Sequence, residues 1–146
     1  MSTPEAFRFS LTQEEKDYLL GLVKLSILKG LKKDKAPPPP PPTDKLREHL
    51  GAFVTLKSNN RLRGCIGRLA ADRPLFETVA AMARAAAFDD PRFPPVGLAE
   101  FEDLEVDISI LGPITPCPDP ALIEVGRHGL VVRKGHHSGL LLPQVA

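Results

Sequence analysis

Apolar positions along the chain change period several times, and each change predicts an element. Thr12 followed by Glu15 forms a capping box, and Leu19, Leu22, Val23 and Ile27 then recur at helical spacing. They predict an opening helix with one core-facing stripe, ending near Gly30 and the lysines Lys32, Lys33 and Lys35. Residues 37–42 are consecutive prolines. Such a run favours polyproline II, at about 3.1 Å per residue, and predicts a spacer on the order of 19 Å. A ligand for an SH3-like module is the other reading of that tract.

Period two takes over after the prolines. Residues 52–57 and 61–67 read as short strands, and Ser58-Asn59-Asn60 between them is a hairpin signal. Within the second strand, strict alternation sends Leu62 and Ile66 to the core and Arg63 and Cys65 to the opposite face. Asp72-Arg73-Pro74 opens a second helix, with Leu75, Val79, Met82, Ala83 and Ala86 on one side, and residues 89–95 end it. Leu104, Val106, Ile108 and Ile110 alternate with Glu105, Asp107 and Ser109 as a half-buried antiparallel strand. A proline-rich loop at 112–120 carries Cys117 and is expected to be exposed. Leu130-Val131-Val132 and Leu140-Leu141-Leu142 bracket residues 134–138 as a second hairpin. Its leucine run predicts a strand covered on both faces. The expected class is α+β, helices packed on an antiparallel sheet. The expected organisation is an N-terminal helical segment at 1–36, a proline-rich spacer at 37–43 and an α/β core at 44–146.

Composition narrows the function classes. The chain of 146 residues is 42% apolar and 25% charged with a net charge of +1, as in an ordinary globular domain. Residues 1–61 carry +4 and residues 62–146 carry −3, and no Lys or Arg falls between Arg92 and Arg127. A phosphate backbone calls for a basic stripe, and the lysine tail of the first helix is the one candidate. There is one tyrosine and no tryptophan, and aromatic residues do not interleave with basic ones as in single-strand binders. The two cysteines make neither a disulfide framework nor a zinc spacing, and His136-His137 lacks a third ligand, so no metal site is expected. No secretory leader or membrane-spanning segment is visible, so a cytoplasmic location is expected.

The chemistry concentrates at Leu62-Arg63-Gly64-Cys65-Ile66-Gly67. A guanidinium beside Cys65 would favour thiolate, the reactive form, and Gly64 and Gly67 would let a ligand approach closely. The competing reading of Cys65 is a small buried hydrophobe. In Asp90-Pro91-Arg92-Phe93, Arg92 could fix a carboxylate or phosphate through its planar fork, or close a loop ion pair with Asp90. His128, between Arg127 and Gly129, and Gln144, after Pro143, are further polar candidates.

These blocks resemble the AMMECR-type domain family. The hexapeptide, the strand at 51–56, Ala86-Ala87-Phe88-Asp89-Asp90-Pro91-Arg92-Phe93-Pro94-Pro95, the alternating strand at 104–111, Gly126-Arg127-His128-Gly129-Leu130 and the block at 139–146 follow that family's order over 46–146. The resemblance implies two subdomains with the Arg-Gly-Cys strand near the groove between them. Family members usually continue beyond the closing Leu-Leu-Pro-Gln-Val-Ala block. The chain is therefore expected to be incomplete at its C-terminal end, with an apolar patch or open sheet edge near Leu141 and Val145. The resemblance implies no firmly established reaction and no cofactor. It implies a shared pathway with a Memo-like protein and a radical-SAM protein. The expectation is a small enzyme or accessory subunit in which Arg63, Cys65, Asp90, Arg92 and Gln144 converge around a small anionic ligand. The other class is a housekeeping nucleic-acid-associated factor in translation, transcription or repair.

Overall fold

The structure, a computed structural model, describes residues 10–112, 130–134 and 137–141. It falls into two units, residues 1–113 and 114–146.

The first unit is α+β, as the periodicities require. Helix α1 (Gln13–Leu31) starts at the Thr12 capping box: Thr12 Oγ1 accepts from the Glu15 amide at 3.2 Å, and the Thr12 amide donates to Glu15 Oε1 at 2.8 Å. It runs past Gly30, which lies against the ring of Phe88. Lys33, with φ of 56°, takes the left-handed position expected of a glycine. Strands β1 (Gly51–Ser58) and β2 (Arg61–Arg68) form a hairpin across Asn59 and Asn60, both at positive φ, the two-residue turn that suits strand twist. Helix α2 (Leu75–Phe88) follows, then a short helix α3 (Leu98–Phe101) and strand β3 (Glu105–Leu111). The sheet order is β2-β1-β3, antiparallel throughout. Neither α3 nor the 3-10 turn at Asp44–Arg47 is signalled by periodicity, since each is a single short turn.

One core serves the whole unit. Ala52, Val54 and Leu56 of β1 meet Leu75, Val79 and Ala83 of α2, while Leu19, Leu22, Val23 and Ile27 come from α1. The helix before the prolines is therefore part of the same body as the sheet. The proline run returns the chain along α1. The Lys29 ammonium donates to the Pro37 carbonyl at 3.1 Å, the Tyr18 hydroxyl to that of Pro39 at 2.7 Å, and the Thr43 hydroxyl to Glu15 Oε2. From Glu15 to Lys29 a helix rises roughly 21 Å, at about 1.5 Å per residue. That matches the polyproline reach of about 19 Å.

In the second unit β4 (Leu130–Lys134) pairs antiparallel with β5 (His137–Leu141). Pairing of Lys134 with His137 starts the strand earlier than the expected turn at 134–138 allows. Cys117, His128, Gln144 and Val145 lie outside the described residues, as do the surroundings of Leu141. No helix among the described residues is long and apolar enough to cross a membrane.

Candidate functional site

The site begins with a break in alternation. Leu56 pairs with Gly64 but Lys57 pairs with Leu62, so Arg63 is an extra residue bulged out of β2. The bulge shifts the phase of everything before it. Ile66 still packs against the core, whereas Leu62, expected beside it, is 42% exposed. Arg63 is likewise re-aimed. Its Nε and Nη2 donate to the two carboxylate oxygens of Glu100 at 3.0 and 2.8 Å, and its guanidinium carbon lies 6.0 Å from the Phe93 ring centre. The third nitrogen, Nη1, is buried without a hydrogen-bond partner among the described residues. Glu100 is held below the usual carboxylate range, chiefly by the hydrogen bond from Arg63, with burial opposing.

Cys65 sits on the regular side of the bulge, half-buried on an edge strand. Its amide points away from β1 and donates to Asp90 Oδ2 at 3.0 Å. Thr55 is the residue directly opposite, and this outward amide makes the two a non-hydrogen-bonded pair, in which side chains approach most closely. Thr55 Oγ1 and Cys65 Sγ are 3.2 Å apart.

Asp90 is buried, with a side chain only 2% exposed, yet every bond it needs is made. Oδ1 accepts from the amide and Nε of Arg92, both at 3.1 Å; Oδ2 accepts from Arg92 Nη2 at 2.8 Å and from the Cys65 amide. The hydrogen bond from the Arg92 side chain is the main reason its carboxyl is held far below the usual range, against the opposing effect of burial. Arg92 itself is raised, first by Asp90 and in smaller part by Cys65. Its guanidinium is half-exposed, lies 5.4 Å from the Phe93 ring centre, and Nη2 is 3.5 Å from the Cys65 carbonyl oxygen. Phe93 is thus flanked by both arginines.

The structure brings Cys65, Asp90 and Arg92 into one cluster. It ties Arg63 to that cluster through Phe93 instead of placing it beside Cys65 by alternation. Gly64 and Gly67 do not open space for a ligand. A Cβ on Gly64 would run into the Ala86 carbonyl of α2, and one on Gly67 into the Phe53 ring. Both arginines already hold a carboxylate of this chain, so an anion would meet their remaining N–H edges. Among the described residues no group of His, Cys, Asp and Glu is placed to hold a metal ion.

Thr55, Phe93 and Glu100 escape the sequence reading. Thr55 escapes because an unbroken ladder from the Asn-Asn turn would set it opposite Gly64; only the bulge moves it to Cys65. Phe93 adjoins Arg92 within a motif already singled out, which was the available signal. Glu100 begins no recognisable pattern.

Comparison with known proteins supplies the lineage. The AMMECR1 family model matches residues 20–146. A protein of Methanopyrus kandleri is 42% identical over 144 residues, covering 92% of this chain and 70% of its own length. One from Pyrococcus horikoshii is 44% identical over 148 residues, covering 94% of this chain and 72% of its own. The crystal structure of an uncharacterised protein from Pyrococcus horikoshii superimposes with a TM-score of 0.84 at 43% identity, covering 94% of this chain and 73% of that one. With the fold and the family blocks in agreement, the chain belongs to the AMMECR1 family.

Proposed function

We propose that the chain is a small enzyme or accessory ligand-binding subunit that receives a small anionic ligand at the groove around Arg63 and Cys65. The observation that carries this reading is Arg63 Nη1, a buried donor with no acceptor among the described residues. A native structure seldom leaves such a group unpaired, and a ligand oxygen is one acceptor that would pair it. Arg92 offers a second guanidinium across Phe93, and half-buried Cys65 supplies a sulfur as nucleophile, redox group or soft ligand. The family resemblance supports a pathway shared with a Memo-like and a radical-SAM protein.

Alkylation of Cys65 tests the anion-binding half directly. Iodoacetate carries a negative charge and iodoacetamide does not, so the ratio of their rates, read at Cys65 by peptide mass spectrometry, reports local attraction for anions. The expected ratio exceeds that of a free model thiol and falls towards it in Arg92→Gln. A ratio equal to the model thiol's, or labelling no faster than that thiol with either reagent across pH, refutes the reading.

A further inference from the structure

A second groove lies between α1, α2 and the start of the proline run, with a volume of about 210 Å³. Leu22 and Leu25 of α1 and Ala80 and Ala81 of α2 form an apolar floor; the alanines leave the space that longer side chains would fill. Pro37 and Pro38 form the far wall. That wall cannot readily collapse, because proline fixes its own backbone angle and carbonyls of the run are held by Lys29 and Tyr18. The charges that the described residues place along it are of one sign, Lys29, Lys35 and Arg84, with no carboxylate side chain among those residues. The nearby Asp34 turns its carboxylate to the Ala36 amide at 2.9 Å, and Arg84 reaches the Asp34 main-chain oxygen at 3.4 Å.

We propose that this groove binds a small amphiphilic anion, a carboxylate or phosphate monoester on a short apolar body. The apolar floor takes the body, and the cationic rim takes the head. Charge complementarity selects the sign, since desolvating an ammonium beside three cations is unfavourable. The preformed proline wall lowers the ordering cost that weakens binding in flexible clefts. This also gives the proline run a role that neither a spacer nor an SH3-type ligand describes.

The experiment is an NMR titration of the full chain with four probes: octanoate, octyl phosphate, octylammonium and acetate. Saturable amide shifts at Leu25, Ala80 and Ala81 are expected with octanoate or octyl phosphate, the tighter of the two naming the head group. Octylammonium and acetate are expected to bind at least about tenfold more weakly, one lacking the charge and the other the tail. The double substitution Lys35→Gln with Arg84→Gln should weaken the anion about three- to tenfold. Ala81→Leu, which fills the floor without touching charge, should abolish saturation while leaving the rest of the spectrum folded. Equal binding of octylammonium, no saturable shift with either anion, or indifference to both variants overturns the proposal.

Discussion

At the scale of the residue, Asp90 and Thr55 fix how Cys65 is presented. Asp90→Asn weakens charge-assisted bonds to Arg92 and puts an amide nitrogen where an acceptor is needed. The expected loss is about 1–3 kcal/mol at neutral pH, read from denaturant unfolding. Its pH dependence has a definite sign. Asp90 is depressed in the folded chain, so as pH falls the unfolded chain takes up the proton first. The stabilisation is complete above the ordinary aspartate value of ~3.9 and drains away as pH drops below it. The melting-temperature gap between wild type and Asp90→Asn should therefore be wide at pH 7 and narrow below about pH 4. A gap that stays constant through that range would contradict the assignment. Thr55 makes a separate prediction: with its hydroxyl 3.2 Å from the sulfur, Thr55→Val should slow Cys65 alkylation about three- to tenfold and Thr55→Ser should restore it. Equal rates in all three chains would reduce Thr55 to a packing residue.

At the scale of the element, two glycines make opposite predictions. A Cβ at Gly64 meets the Ala86 carbonyl, so Gly64→Ala must push β2 off α2 and should cost about 1–3 kcal/mol. A Cβ at Gly21 of α1 meets nothing within 4 Å, and Gly21→Ala should gain up to about 1 kcal/mol from helix propensity. Thermal unfolding of the pair checks both signs. What could be read in advance follows from the same geometry. The capping box, the core stripe of α1 and the alternation of β3 are local patterns, and each was legible in the residues that form it. Leu62 was not, because a bulge is set by what the strand packs against, and its phase shift leaves no mark in the run Leu62-Arg63-Gly64 itself. The pairing of Arg63 with Glu100 spans 37 positions, beyond the reach of any periodicity. Asp90 was legible as chemistry, through its rigid spacing to Arg92, while its grip on the Cys65 amide depends on where the loop lands.

At the scale of the molecule, α1 and the sheet share one hydrophobic core, so the stretch ahead of the prolines is structural. A chain beginning at residue 44 loses Leu19, Leu22, Val23 and Ile27 together, each worth about 1.5–3 kcal/mol when buried. It should show no cooperative unfolding transition by calorimetry, since this sum is comparable with the whole margin of an ordinary domain. A sharp transition in that shortened chain would mean the sheet and α2 suffice alone. The bulge at Arg63 has a consequence of another kind, for heredity rather than stability. Its single extra residue acts as a frame marker within the hairpin: deleting Arg63 would restore an uninterrupted ladder and leave Leu62 opposite Lys57, on the outward face. Such a deletion would be tolerated by the fold's own preferences and would still erase the link to Glu100. A lineage that dropped this one codon could keep the architecture and lose the buried Arg63 guanidinium in the same step.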